Sequence, residues 1–330
     1  MFNKNLFKNK IVLVTGATGS IGKSLVQRIL KTNCKTIRAM SNDEDGLFKL
    51  KSVIEINKNY IKKIRFLYGD IRDPERCELA TKGVDIVIHA AAMKHVEICS
   101  YNPNEAIKTN ILGTQNLIEA SKKNKVKNFL FISTDKSALA TTTMGQTKHL
   151  AEKLVLNAGM NAGKPPIKFS AIRFGNILAS RGSVVEKFIY QIKANLPLTV
   201  TDKRMIRYFM TIENAVEMII SSIQISKGCE VFILKNMGKF KIMNLANALK
   251  KYFKYKKQIK FIKKNIGEKL NEEFISEHEV KYLKENKQMY ILDIGNRHKN
   301  LKKINQIKMN EKLLNDKEII LLFKKQKILN

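Results

Sequence analysis

No stretch of this 330-residue chain approaches the roughly 18 consecutive apolar residues that a membrane span needs; the longest runs, IVLV and VDIVIHAAAM, have the length of core strands. The N-terminal MFNKNLFKNK lacks an apolar signal core and leads straight into a strand, so export is not expected and the expected location is cytoplasmic. Cys34, Cys77, Cys99 and Cys229 form no CxxC pair, which suits reduced thiols rather than a disulfide framework. His89, His149, His278 and His298 show no metal-ligand spacing, so no metal is expected. Acidic residues are scarce, 29 against 61 basic ones, giving a net charge of +32. Such a charge attracts nucleic acid, anionic lipid or phosphorylated substrates. Here the excess is mostly Lys spread along the chain among abundant Asn and Ile, so it reads as a composition bias and no nucleic-acid partner is expected. Lys250–Lys264, eight lysines among Tyr and Phe that can stack bases, is the best place for a nucleic-acid site, but it reads as a solvated face, and weak association with an anionic membrane is a third option.

What is present is an alternation of strands and helices. Ile11–Val14, Ile37–Met40, Ile64–Tyr68, Ile86–His89, Phe129–Ser133 and Phe169–Phe174 are short apolar runs rich in β-branched residues. Between them lie segments of helical period, among them Lys23–Leu30, Ala106–Ser121 and Gln146–Asn157. Strands apolar on both faces that alternate with helices predict an α/β fold, a doubly wound parallel Rossmann sheet. Residues 1–176 read as the dinucleotide-binding unit and 177–330 as a smaller, interleaved C-terminal substrate unit. Glu230–Leu234 is expected to return to the sheet. QIKFIK reads as an edge strand protected by its lysines, and Asn315 to Glu318 as a capping box opening a last helix.

Gly16, Gly19 and Gly22 in TGATGSIG follow the first strand and open the first helix. Gly16 permits the tight turn, Gly19 the approach of a pyrophosphate, and Gly22 the close packing of helix on sheet. The helix N-terminus offers free amides to the phosphate charge. The strand before and the helix after make this a dinucleotide site rather than a turn that merely needs glycine. The spacing TGxxGxxG resembles the short-chain dehydrogenase/reductase superfamily, and that resemblance implies further cofactor contacts from Thr18, Ser20, Ile21 and Ala90. It also implies Asp70 and the Ile71 amide at the adenine. Asp43 in SNDED is placed to accept from a ribose 2′-hydroxyl, whereas a 2′-phosphate wants an Arg, and Arg38 lies within the strand. The expected cofactor is therefore NAD, with NADP the alternative.

The fifth strand ends in Ser133-Thr134-Asp135-Lys136, at the carboxyl edge where such sheets bind ligands. Further on comes Met144-Gly145-Gln146-Thr147-Lys148, at the superfamily's YxxxK position. A thioether cannot take a proton, so the ordinary dehydrogenase chemistry of that Tyr cannot run unaltered here. With these blocks the chain resembles the UDP-N-acetylglucosamine 4,6-dehydratases of polysaccharide biosynthesis. The resemblance covers HAAAMKHVEICSYNPNEAIKTNILGTQN, STDKSALATTTMGQTKHLAE, RFGNILASRGSV, PLTVTDKRMIRYFMTI and GEKLNEEFIS, within about residues 11–280. Some branches of that family also carry Met at the Tyr position. SALATTT departs from the family wording, which has a Pro and an Asn there.

The resemblance implies a lyase reaction: hydride leaves sugar C4 for the cofactor, water is lost across C5 and C6, and the hydride returns to C6. It implies Asp135 as acid for the C6 hydroxyl if burial keeps it protonated. Lys136 is the implied base at C5, if a neighbouring positive charge frees its amine. Thr134 is implied at the C4 oxygen and Lys148 at the nicotinamide ribose, with Asp135, or a water held by Thr134 and Lys148, accepting the C4 proton. For the UDP-sugar it implies Asn176, with Arg181 and Arg207 on the diphosphate and Glu268 on the ribose. Lys94 and His95 are implied in the sugar pocket, and Asn110 as a structural brace. A homo-oligomer is the superfamily default. Two other functions stay open: a UDP-hexose 4-epimerase, and an NAD-binding sensor or scaffold without activity.

Overall fold

The structure, a computed structural model, describes residues 5–163, 166–309 and 312–329. Among these residues fifteen strands run β1 (Ile11–Thr15), β2 (Thr36–Ser41), β3 (Ile64–Tyr68), β4 (Ile86–His89), β5 (Asn128–Ile132), β6 (Lys168–Arg173), β7 (Asn176–Ile177), β8 (Thr199–Val200), β9 (Ile206–Met210), β10 (Glu230–Leu234), β11 (Gly238–Lys241), β12 (Lys260–Phe261), β13 (Leu283–Glu285), β14 (Met289–Asp293) and β15 (Lys302–Lys303). Ten of them form one sheet in the order β15-β13-β14-β10-β6-β5-β4-β1-β2-β3. From β3 to β10 all neighbours are parallel, while β14, β13 and β15 extend the sheet antiparallel. This is the doubly wound α/β sheet that the strand–helix alternation predicts. Val12, Val14, Val87, Ile88, Phe129 and Phe131 are closed off from solvent, as strands covered on both faces require.

Local signals in the sequence set the ends of several elements. Asp73 caps the helix Pro74–Thr81 by accepting from the Arg76 amide at 3.0 Å, with Pro74 in its first turn. Asn315 and Glu318 make the reciprocal pair that opens Asp316–Lys325. The helical run expected over Ala106–Ser121 is present but not uniform. Pro103–Ala106 and Gly113–Lys123 are α-helical, and Ile107–Leu112 between them widens into a π-turn. QIKFIK yields only the two-residue β12, paired parallel with β8.

The second core is not contiguous in sequence. Leu178, Phe188, Leu198 and Phe209 meet Leu245, Leu249, Ile319 and Phe323 in it. The helix Ile212–Ile225 instead packs on the large core through Val216, Ile219 and Ile223, and β10, β13 and β14 join the large sheet. Residues after 176 therefore contribute to both cores, and β10 and the strands beyond it cover the open edge of β6.

Candidate active site

The turn after β1 shows why its glycines are glycines. Gly16 has φ +63°, and a Cβ there would sit 2.8 Å from the Ala91 backbone. Gly19 caps the helix Ser20–Leu30 without a side chain, which leaves the first-turn amides free to meet an anion. The turn lines a cavity of about 550 Å³ together with Thr18, Ser20, Ile21, Gly22, Asp43, Ala90, Lys94, His95, Thr134, Asp135, Lys136, Lys148, Asn176 and Arg181. A second cavity of about 390 Å³ takes in Arg207, Glu268 and Glu272, and shares Lys94, His95, Lys136 and Asn176 with the first. The two therefore meet at Lys136.

The segment after β5 is built to present two charges. Thr134 caps a short 3-10 turn, and the Asp135 amide donates to Phe174 O at 2.8 Å, continuing the pairing of β5 with β6. Asp135 Oδ1 accepts from Thr134 Oγ1 at 2.9 Å and from Lys136 Nζ at 3.0 Å, while its buried Oδ2 has no partner. Lys136 Nζ also lies 3.4 Å from Glu272 Oε1. Desolvation disfavours the Lys136 charge, but Asp135 and Glu272 outweigh both that and the nearby Arg207, so its pKa is raised. This corrects the expectation of an amine freed by a neighbouring cation: the dominant neighbours are anions.

Lys148 behaves in the opposite way. It is buried, donates to Ile132 O, and stands 3.8 Å over the Phe131 ring. Burial pushes its pKa down to about 7, against the pull of Glu152. Met144, one turn earlier, is buried among Cys99, Ala106, Met93 and Val96, a packing role with no proton to exchange. Asn110, in the π-turn, accepts from the Met93 amide at 2.8 Å and donates to Met93 O and Thr147 Oγ1 at 3.0 Å each. It ties the loop after β4 to the helix Thr143–Met160, the brace expected of it. His89 is closed off between Thr15 and Thr114 hydroxyls, at 2.8 and 3.0 Å, and burial holds its pKa down at about 3.

Several expected residues are placed differently. Arg181 is not in the second cavity. Its amide donates to Ser20 Oγ at 2.9 Å and its guanidinium to Asp43 Oδ2 at 3.2 Å, because the turn carrying it crosses over the glycine loop. Gly182 beside it has φ +72°, and a Cβ there would meet the His95 ring at 2.1 Å. Arg207 lines the second cavity, yet its guanidinium donates to Ile206 O, Leu270 O and Lys269 O at 2.9–3.1 Å, so it braces the 268–270 loop. Asp70 and Ile71 line neither cavity. Asp70 accepts from Arg72 and from Asn42 Nδ2, while Ile71 is buried under Gly113. Asp43 caps Glu44–Glu55 through the Gly46 amide, and that bond leads the causes that lower its pKa. Arg38 turns away to Ala80 O. Asn176 Oδ1 and Glu268 Oε2 are buried without partners, as groups awaiting a polar ligand would be.

Two features escaped the sequence reading. Glu272, four residues beyond Glu268, joins the charged centre from a distant loop. Arg173, at the end of β6, is fully buried between Glu152 and Glu279, at 2.6 Å from each, and its pKa is raised by those carboxylates against desolvation. Ser137 Oγ donates to Thr134 O at 2.6 Å and lies 3.3 Å from Glu152 Oε2, linking this triad to the turn after β5. A lone Arg closing an apolar strand was the available signal.

Among the described residues no helix is long and apolar enough to cross a membrane, and no cluster of His, Cys, Asp and Glu could hold a metal ion. A family model described as polysaccharide biosynthesis protein matches residues 12–294. An uncharacterized membrane protein of Methanocaldococcus jannaschii is 48% identical, covering 70% of this chain and 68% of that protein. A UDP-N-acetylglucosamine 4,6-dehydratase (inverting) of Campylobacter jejuni is 42% identical over 74% of this chain and 72% of its own length. A UDP-glucose 4-epimerase of Rickettsia bellii is 39% identical over 78% and 75%. The X-ray structure of Pen from Bacillus thuringiensis superposes with a TM-score of 0.91 at 36% identity, covering 98% of this chain and 99% of that one. With a glycine-loop cleft, a second cavity joined to it and this breadth of match, the chain belongs to the polysaccharide biosynthesis protein family.

Proposed function

We propose that this chain is a nucleotide-sugar 4,6-dehydratase converting UDP-N-acetylglucosamine to a UDP-4-keto-6-deoxy-N-acetylhexosamine, with NAD as a recycled cofactor, for polysaccharide or glycan assembly. The observation that carries the reading is the junction of the two cavities. There Asp135 offers an unpartnered buried oxygen and Lys136 its charge, beside the orphaned oxygens of Asn176 and Glu268. The named dehydratase and epimerase relatives support the broader class, a nucleotide-sugar-modifying enzyme of the short-chain dehydrogenase/reductase type.

The glycine loop fits the pyrophosphate of a dinucleotide, Asp43 its ribose and Lys148 its nicotinamide ribose. When bound, the nicotinamide supplies reversible hydride transfer, taking hydride at C4 and giving it back at C6. Thr134 Oγ1 hydrogen-bonds the C4 oxygen and passes that hydroxyl proton to Asp135, 2.9 Å away. Asp135 then gives the proton to the C6 hydroxyl, which departs as water. Lys136, whose charged form Asp135 and Glu272 favour, takes the C5 proton from its minor unprotonated form and later returns it. Both residues end as they began, and the sugar has lost one water. Asn176 and Glu268 accept hydroxyl hydrogen bonds from the substrate in the second cavity.

Incubation with UDP-N-acetylglucosamine in deuterated water tests this directly. A dehydratase gives a keto product with deuterium at C5. A 4-epimerase, the function of the Rickettsia relative, gives the galacto isomer without exchange, and an inactive sensor gives neither. Met144, which cannot serve as the phenolic base of an epimerase, favours the first outcome. Lys136→Ala and Asp135→Asn should each lower kcat by about 100-fold or more, the range for positioned acids and bases; wild-type turnover in Lys136→Ala would sink the assignment.

A further inference from the structure

Glu272 has no role in the scheme above, yet its placement is specific. It is buried on the loop that follows Glu268, lines the second cavity, and holds its Oε1 3.4 Å from Lys136 Nζ. That loop is fixed on two sides. Thr141 Oγ1 donates to Gly267 O at 2.6 Å, and the Ile206 amide to Leu270 O at 2.9 Å. A purely structural reading would pair Glu272 with Arg207. Arg207, however, is already held by three backbone carbonyls and lies 3.4 Å from Glu268, whereas Glu272 stands 4.0 Å away. The nearer cation is Lys136.

We propose that Glu272 is a positioning residue: its carboxylate docks the Lys136 ammonium beside Asp135 where the two cavities meet, and so governs when that amine is released to act on the sugar. This rests on the dehydratase reading for the identity of the step, but not for the geometry. The charged groups facing Lys136 are Asp135 on its own turn, Glu272 from the loop and Arg207 from β9, with Glu268 behind Arg207. Lys94 and His95 line both cavities from the loop after β4. Of the two anions that hold Lys136 charged, Asp135 is committed to the C4 and C6 oxygens, which leaves Glu272 as the fixed one.

The test compares wild type, Glu272→Gln and Glu272→Asp with cofactor bound. Lysines are labelled by reductive ¹³C-methylation, and the Lys136 signal is identified by its loss in Lys136→Arg. An opposite charge at this range moves a pKa by about 1–3 units. Glu272→Gln should therefore lower the Lys136 titration midpoint by about one unit or more. The rising limb of C5 deuterium exchange, along which the Lys136 amine is freed, should move to lower pH by the same amount, with KM for UDP-N-acetylglucosamine within about threefold of wild type. Glu272→Asp, which keeps the charge, should restore both towards wild type, and it serves as the working variant if Glu272→Gln does not fold. An unmoved Lys136 titration overturns the proposal. So does a tenfold rise in KM with an unchanged pH profile, which would make Glu272 a substrate ligand. Wild-type protein that shows no C5 exchange sinks the dehydratase reading instead, and the titration still decides the role of Glu272.

Discussion

Lys136 and Lys148 shift in opposite senses, because at Lys136 two adjacent carboxylates outweigh burial, whereas at Lys148 burial outweighs the pull of Glu152. The sign for Lys148 follows from linkage. Its pKa in the folded chain, about 7, lies below that of the unfolded chain, so folding is disfavoured below pH 7 and this penalty is relieved as pH rises from 7 towards 10. Urea unfolding of the apo protein should show Lys148→Met with a flatter stability profile than wild type over that window, the difference being at most about 1.4 kcal/mol per pH unit. Met144→Leu, a swap of similar volume within an apolar cluster, should cost less than about 1.5 kcal/mol and leave turnover within a few-fold of wild type. A larger loss of turnover would mean that the thioether does more than pack. At this scale the sequence was legible where chemistry is local. The STDK turn and the glycine loop could be read because strand, turn and helix follow one another. The protonation of Lys136 could not, because Glu272 reaches it from a loop far along the chain. The cavity that Arg181 lines was not legible for a related reason: its motif says that it meets an anion, but only the crossing of its turn over Ser20 sets which cavity it faces.

Among the elements, six of the seven parallel strands were evident from their apolar, β-branched runs, and the helix starts from Asp73 and Asn315. The π-turn at Ile107–Leu112 was not evident, since nothing in IKTNIL breaks helical period. Its effect is to aim Asn110 at Met93 and Thr147. The junction of β6 with the helix Thr143–Met160 depends on Arg173, whose two carboxylate partners are both buried. Replacing Arg173 by Met would strand those charges, and the expected loss is about 3–5 kcal/mol of unfolding free energy, read from denaturant midpoints. A variant as stable as wild type would show that Glu152 and Glu279 find other partners. QIKFIK was over-read as a strand: only Lys260 and Phe261 pair, because β8 offers just two residues as a template.

Over the whole molecule, the net charge of +32 acts against compaction. From Val231 to Gly267 there is no acidic residue at all, and the lysines there have few opposite charges nearby. Raising NaCl from 20 to 500 mM screens that repulsion, so the thermal midpoint of the apo protein should rise by a few degrees, and a falling midpoint would show that its ion pairs outweigh the excess. The placement of β10 and β14 beyond β6 has a further consequence for biosynthesis. A ribosome that has delivered residues 1–176 has made six strands whose outermost border, β6, still displays its amide and carbonyl row between apolar side chains. Such a border recruits any extended segment that passes. A truncated product ending at 176 should accumulate in inclusion bodies, and on the nascent polypeptide this border stays bare until β10 emerges.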